Sequence, residues 1–189
     1  MDVLLTTERL TLRRFTSDDV DLLVELDSDP TVMRYINGGD PTPREEINDE
    51  ILPAWLAHYE KWDRQGFFAA EVDGEFVGWF HLRPAMHTHV DEEGVLELGY
   101  RLQRSAWGHG YATEGSRALI DLAFRELGVD LVVADTMAVN TSSRRVMEKS
   151  GLRYIRTFHA DWPVSIPGDE HGDVEYAITR AEWQGNRPV

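Results

Sequence analysis

A single α/β domain is what this sequence predicts, and three stretches carry the prediction. Val95–Leu102 reads as a strand that passes through a glycine turn into a helix-like run ending near Leu127. Phe67–Val72 and Phe76–Leu82 flank Asp73-Gly74-Glu75, a strong β-hairpin signal. Leu131–Ala138 leads into a second helix that Asn140 caps and Gly151 ends. A length of 189 residues suits one domain over 1–189, and 42% apolar residues are enough for a core.

The remaining elements follow in order. Leu10–Arg14 alternates as an opening strand. Ser17 with Asp18 and Asp19 starts a helix, which Val20, Leu23, Val24 and Asp27 continue at helical spacing. Pro30 starts a short helix through Tyr35, and Asn37-Gly38-Gly39-Asp40-Pro41 is a loop by composition. A long helix follows from about Pro43 to Asp63, with Pro53 as the place for a bend. Trp55, Tyr59 and Trp62 recur on that helix as core, or as a wall beside an entrance. Pro84–Glu93 is a longer loop. Ala112, Gly115, Leu119, Leu122 and Ala123 mark one helix face, and Leu152–Phe158 and Val174–Thr179 close the sheet. No internal repeat or low-complexity segment interrupts this order.

Composition removes several function classes. The net charge of −15 argues against nucleic acid as a partner, because a phosphate backbone calls for a basic face. No run approaches the ~20 apolar residues of a membrane helix. No basic region followed by an apolar stretch marks a secretory signal, so a cytoplasmic location is expected. Without cysteine there is no disulfide, thiol nucleophile or cysteine–metal site. Met86–Glu93 contains histidines and carboxylates, which are metal ligands in principle, but a polar loop explains them and no metal is expected. Charge is also uneven. Residues 101–156 carry nine Arg/Lys against six Asp/Glu, whereas residues 17–50 carry eleven acids against Arg34 and Arg44. An acidic wall of that kind attracts a cationic amine, unless it is simply a solvated helical surface.

The most informative stretch is Gln103–Glu114, which contains Trp107-Gly108-His109-Gly110-Tyr111-Ala112-Thr113-Glu114. Two glycines let a backbone approach an anion, and the free N–H groups of a first helical turn point at it. The segment therefore predicts a pyrophosphate site. It is not a nucleotide-triphosphatase loop, which requires Gly-Lys-Ser/Thr. Nor is it a dinucleotide fingerprint, because Thr113 stands where the third glycine would be.

The segment resembles the acyl-CoA loop of the GCN5-related N-acetyltransferases. The resemblance is closest to the ribosomal-protein N-terminal alanine acetyltransferase subgroup, whose Trp-Gly-x-Gly-Tyr-Ala-Thr-Glu run is present here. Asn140–Leu152 is similar to that family's second CoA-binding helix, with Leu152 in place of its usual phenylalanine. Thr7–Arg13 followed by Asp18-Asp19 is similar to the subgroup's opening strand and helix. The resemblance spans about residues 6 to 180. It implies one mixed, mostly antiparallel sheet with flanking helices, and a splayed strand pair at Val95–Leu102 and Leu131–Ala138. One departure is Ser105, where the family often has Arg or Gln, which leaves more of the phosphate grip to backbone amides.

The implied activity is transfer of an acetyl group from acetyl-CoA to a primary amine, either a protein N-terminus or a small amine, by direct attack. The resemblance assigns the cofactor to Ser105 and to the N–H groups of Gly108, His109, Gly110, Tyr111, Ala112 and Thr113. It pairs the pantetheine with the backbone of Tyr100, Arg101 and Leu102, beside a bulge suggested by Gly99. Asn140 then contacts the pantetheine, and Arg145 and Lys149 the nucleotide end. An amide near Tyr100 would donate to the thioester oxygen, an interaction worth on the order of 3 kcal/mol. Ser143 is the candidate for protonating the leaving thiolate. Glu97 is the first candidate base and His81 the second, with Asp135, Tyr154 and an ordered water also open. The competing reading is a catalytically silent CoA-binding sensor or interaction module of the same fold, and succinyl-CoA is another donor to consider, with Arg101 or Arg83 near the acyl group. Acceptor identity and oligomeric state, a homodimer included, stay open.

Overall fold

The computed structural model describes residues 2–185 except His87, Asp91, Asp161 and Pro163, so two residues of the Met86–Glu93 stretch lie outside the described residues. The strands are β1 (Val3–Thr6), β2 (Thr11–Arg14), β3 (Gly66–Val72), β4 (Glu75–Pro84), β5 (Val95–Leu102), β6 (Leu131–Met137), β7 (Arg153–Phe158) and β8 (Asp173–Thr179). The helices are α1 (Val20–Asp27), α2 (Pro30–Met33), α3 (Arg44–Glu46), α4 (Leu52–Lys61), α5 (Tyr111–Glu126), α6 (Thr141–Lys149) and α7 (Arg180–Gly185). The strands follow one hydrogen-bonded order, β1-β2-β3-β4-β5-β6-β8-β7. β5 and β6 run parallel, whereas the β1–β2, β2–β3, β6–β8 and β7–β8 ladders are antiparallel. This is the mixed, mostly antiparallel sheet that the sequence implied. Among the described residues no helix is long and apolar enough to cross a membrane.

Two compact units divide the chain: Met1–His81 with Tyr100–Gly115, and Leu82–Gly99 with Ser116–Val189. In the first, β2 pairs with β3 from Thr11↔Glu71 to Arg14↔Phe68, and β1 adds an outer strand that the sequence reading did not anticipate. Four residues are too few for a periodic signal, and β1 exists because β2 offers it an edge. Asp73 and Gly74 both have positive φ, as a two-residue hairpin turn of β3 onto β4 requires. Phe15, Leu23, Leu26, Ile47, Leu52 and Phe67 form the centre of this unit's core. Trp55 stacks on Phe67 at 4.1 Å and 2°, so the aromatic face of α4 is core. Tyr59 accepts from the Phe15 N–H at 3.1 Å, and burial pushes its phenol up to about 12.

The long helix predicted over 43–63 is interrupted, and not by a simple bend. Ile47–Ile51 is a π-helical turn, and the Leu52 N–H reaches back to the Ile47 carbonyl. Pro53 has no N–H for the Asp49 carbonyl and its ring crowds that group, so the strain is absorbed one turn earlier by widening the helix.

In the second unit, β6 pairs with β8 along its whole length, from Leu131↔Thr179 to Met137↔Asp173. Its parallel pairing with β5 covers only Val95–Glu97 against Leu131–Val133. Leu98 and Gly99 continue β5 beyond that ladder, which is the splay expected from the sequence. Strand alternation puts Glu97, Val133, Asp135, Glu175 and Ala177 on one face of this unit's sheet. The C-terminal helix α7, absent from the sequence reading, docks through Trp183: its indole N–H donates to Asp121 at 2.6 Å and its ring lies 5.4 Å from Phe124.

Arg13 ties the first unit together. Its guanidinium donates to both oxygens of Asp19 at 2.8 and 2.9 Å and to Glu71 at 2.6 Å, and all three side chains are buried. Burial alone would push the Asp19 carboxyl up, but donors from Arg13 and Thr16 outweigh it and hold the pKa below its ordinary value. Asp19→Asn leaves a buried charge poorly matched and should cost about 3 to 5 kcal/mol in urea unfolding at neutral pH. A depressed acid stabilises the fold above its unfolded pKa of about 3.9 and loses that contribution as pH falls through the folded value. The difference between wild type and variant should therefore shrink in acid.

Candidate active site

The loop between β5 and α5 has the geometry that its sequence predicts. Arg104–Ala106 forms a 3-10 turn, and Trp107–Gly110 lie exposed ahead of the helix. Gly108 and Gly110 take φ of 79° and 86°, a region that side chains with a Cβ avoid. The first helical hydrogen bond runs from the Glu114 N–H to the Gly110 carbonyl at 3.0 Å. The amides of Tyr111, Ala112 and Thr113 therefore precede any helical acceptor and present donors at the positive end of a 16-residue helix. Such a cradle suits a diphosphate. Ser105 lies exposed in the 3-10 turn just upstream.

Arg9 and Glu114 lock this loop. The Glu114 carboxylate accepts from the Thr7 hydroxyl at 2.6 Å, the Arg9 N–H at 2.9 Å and Arg9 Nε at 2.7 Å. Arg9 Nη1 also donates to the His109 carbonyl at 2.9 Å, and its guanidinium lies 4.8 Å from the centre of the Tyr111 ring. Desolvation pushes the Glu114 carboxyl up, but the donors of Thr7 and Arg9 prevail and hold its pKa below the usual value. The sequence analysis placed Thr7, Arg9 and Glu114 in motifs without connecting them. The signal was the pairing of an acid in one motif with a base in another, and only the fold brings residues 105 positions apart into contact.

The strand segment Tyr100–Leu102 lies against Gly78 of β4, where a Cβ would sit 2.2 Å from the Arg101 carbonyl oxygen. Gly78 has φ of 136°, so β4 carries left-handed backbone where it meets this segment. The Leu102 carbonyl accepts the Trp107 indole N–H at 2.9 Å, which gives the loop tryptophan a structural task. The Tyr100 ring packs 6.0 Å from Phe80, and the Arg101 side chain ion-pairs with Asp27 at 2.6 Å. His81 is buried, with its ring stacked 5.8 Å from Trp79.

The second unit holds the carboxylate candidates. Glu97 is buried, and its two oxygens accept from Arg83 Nη2 at 2.7 Å and the Met86 N–H at 3.1 Å. Asp135 is half-buried beside it on the same sheet face. Burial first, then the charges of Glu97, Asp173 and Glu175, push its carboxyl up to about 7, against the pull of Arg83. Asn140 caps α6 by accepting from the Ser143 N–H at 3.2 Å, and its amide donates to Thr136 at 3.1 Å. Ser143 is half-buried in the first turn, while Arg145 and Lys149 are exposed on the same helix. Tyr154 is 47% exposed, and its hydroxyl lies 2.9 Å from the Thr157 hydroxyl. Arg83, which the sequence analysis named only as a basic residue for another acyl donor, is the ion-pair partner of Glu97.

Comparison with known proteins shows the family. The family model described as acetyltransferase (GNAT) domain matches residues 9–153. The chain is 36% identical over 184 residues to an FsC-acetyl coenzyme A-N(2)-transacetylase of Aspergillus fumigatus, an alignment covering 95% of this chain and 77% of that protein. It is 26% identical to the putative ribosomal N-acetyltransferase YdaF of Bacillus subtilis, covering 95% of this chain and 96% of that one. A crystal structure of a GNAT-family acetyltransferase from Bacillus anthracis superposes with a TM-score of 0.75 at 26% identity, covering 96% of this chain and 99% of that chain. If Arg9 orders the loop amides, Arg9→Ala should weaken acetyl-CoA binding by about tenfold in calorimetry, a loss of about 1.4 kcal/mol, and equal affinity would show the clamp to be irrelevant. The profile match over most of the chain and the aligned relatives lead to one conclusion: the chain belongs to the GNAT family and is an acetyl-CoA-dependent N-acetyltransferase.

Proposed function

We propose that this enzyme acetylates a primary amine, a protein N-terminus or a small amine, by direct attack within a ternary complex. The observation that carries the reading is the set of amides from Gly108 to Thr113 at the mouth of α5, ordered by Arg9 and Glu114. They would hold the diphosphate, and the backbone of Tyr100, Arg101 and Leu102 would align the pantetheine. Asn140 would contact the pantetheine, and Arg145 and Lys149 offer charge for the nucleotide end. Acetyl-CoA supplies an acetyl carbonyl already activated as a thioester.

The residues then have three tasks. An amide near Tyr100 would donate to the carbonyl oxygen as it gains charge. A base takes the proton of the amine as its nitrogen bonds the carbonyl carbon and the carbon–sulfur bond breaks. Ser143, directly or through water, returns a proton to the sulfur, so that the products are an amide and a free thiol. For the base, Asp135 is favoured over Glu97. Glu97 has both oxygens engaged, by Arg83 and by the Met86 amide. Burial and neighbouring carboxylates push the Asp135 carboxyl up to about 7, close to where a general base works best. Glu97 then acts through Asp135 by repulsion between like charges, as a positioning residue. An α-amine, with a pKa of about 7.7–8.0, needs less help from such a base than a lysine-like amine of about 10.4.

The base works as the carboxylate, the form present above its pKa, so kcat/KM should rise through about pH 7. Asp135→Asn should lower kcat/KM by about 100-fold. Glu97→Gln removes a like charge, so the surviving rise in rate should move to lower pH. A rate that is flat across neutral pH, or full activity in Asp135→Asn, would remove Asp135 from the mechanism. Acetyl-CoA binding without thiol release across a broad amine panel would favour the silent-module reading instead. Stability offers an independent check. The folded state holds the Asp135 proton more tightly than the unfolded chain, so stability falls as pH rises from about 3.9 toward about 7. Asp135→Asn should gain stability relative to wild type across that window.

A further inference from the structure

Asp135 feels the charge of three carboxylates, and each of the three is held by a donor. Glu97 accepts from Arg83 and from the Met86 N–H. Asp173 accepts from the Trp162 indole N–H at 2.7 Å. Glu175 accepts from Arg156 Nη2 at 3.1 Å, and its other oxygen lies 3.4 Å from His89 Nε2. Arginine, amide and indole donors keep one charge at every working pH. An imidazole does not, so His89 is the member of this set whose charge changes near neutrality.

The geometry of His89 favours its charged form. The ring spans two acids: Nδ1 lies 2.7 Å from Glu92, and Nε2 faces Glu175. A neutral imidazole has one N–H and can serve one of them, whereas the imidazolium donates to both. The Glu175 side chain is only 3% exposed, so its charge depends on these partners rather than on water. His89 also holds a φ of 55°, which is uncommon for a residue with a Cβ, so the ring is kept in place at a cost to the backbone. Burial alone would lower the pKa of His89, but Glu92 and Glu175 outweigh it and hold it above the usual value.

Glu175 connects this ring to the reaction. It is the direct partner of Asp135 in the β6–β8 register, on the same sheet face, and its charge helps to keep the proton on Asp135. His89 thus meets Glu92 from its own loop and Glu175 from β8. Around Glu175 and Asp135 stand Arg156 on β7, Asp173 on β8, Glu97 on β5 and Arg83 on β4.

Resting on the reading of Asp135 as the base, we propose that His89 is a positioning residue for acetyl transfer: through its hydrogen bond to Glu175 it sets how much negative charge opposes Asp135. A charged His89 offsets Glu175 and favours the Asp135 carboxylate. A neutral His89 lets the full charge of Glu175 act, and the proton stays on Asp135 to higher pH. The two groups titrate as a pair.

The test uses the whole chain and two readouts. His89→Asn removes the charge, and asparagine tolerates the left-handed backbone of this position. Carboxyl carbon NMR should show the Asp135 titration moving up by about 0.5 pH unit in the variant. The rise in kcat/KM, followed by thiol release from acetyl-CoA with L-alaninamide, should move up with it, while the KM for acetyl-CoA stays unchanged. In a Glu175→Gln background the same change at His89 should move Asp135 clearly less. As a check that needs no change at His89, its ring signal should titrate at lower pH in Glu175→Gln than in the wild type. An Asp135 titration that stays put in His89→Asn, or that moves equally with and without Glu175, would overturn the proposal, as would a His89 titration indifferent to Glu175. The NMR readout requires no turnover. An Asp135 titration that moves while the rate profile does not would therefore keep the link from His89 to Asp135 and overturn the base reading instead.

Discussion

The Glu114 carboxylate, held by three donors from Thr7 and Arg9, is the interaction on which the loop ahead of α5 depends. A helix N-terminus offers amides at no cost only if the chain entering it is held in a conformation that exposes them. Two glycines with positive φ supply that conformation but also make the loop entropically expensive to order. Arg9 offsets this by fixing the loop from outside: one nitrogen on Glu114, another on the His109 carbonyl, and the guanidinium against Tyr111. The acid in the first turn also sits where the helix dipole favours negative charge. Glu114, which lies in the loop motif, is thus a strut for the turn that precedes α5.

Buried charge is used in two different ways. In the first unit, Asp19 and Asp27 each face an arginine and accept further hydrogen bonds, so their charge is matched and they serve the fold. In the second, Glu97 pairs with Arg83, and Asp135 lies among Glu97, Asp173 and Glu175, whose charges outweigh the pull of Arg83. Adjacent strands force this crowding. Asp135 and Glu175 are direct partners in the β6–β8 register, and Glu97 pairs with Val133 two residues away on the same face. A stable fold would ordinarily avoid such repulsion, and its persistence here is consistent with a functional use of the raised pKa.

Turns and caps were decided locally in this chain, whereas its charge pairings were left to tertiary structure. The boundaries of β5, the cap at Asn140, the hairpin turn at Asp73-Gly74 and the glycine loop were all legible, because turns, caps and strand periods are encoded within a few neighbouring residues. β1 and α7 were not legible, since four and six residues carry too little pattern and each needs a partner surface to exist. The π-helical turn was hinted at by Pro53, but which turn would widen depended on the packing of Ile47 and Ile51. Charge pairing was hidden for the same reason: Arg13 could have met any of the eleven acids of residues 17–50, and only the turn at Ser17–Asp19 selects Asp19, while the β2–β3 pairing adds Glu71 from outside that run. The form of the glycine turn ahead of α5 is therefore a property of contiguous sequence. The raised pKa of Asp135 arises from burial and from its distance to Glu97, Asp173 and Glu175, residues far apart in the chain, which no local pattern specifies.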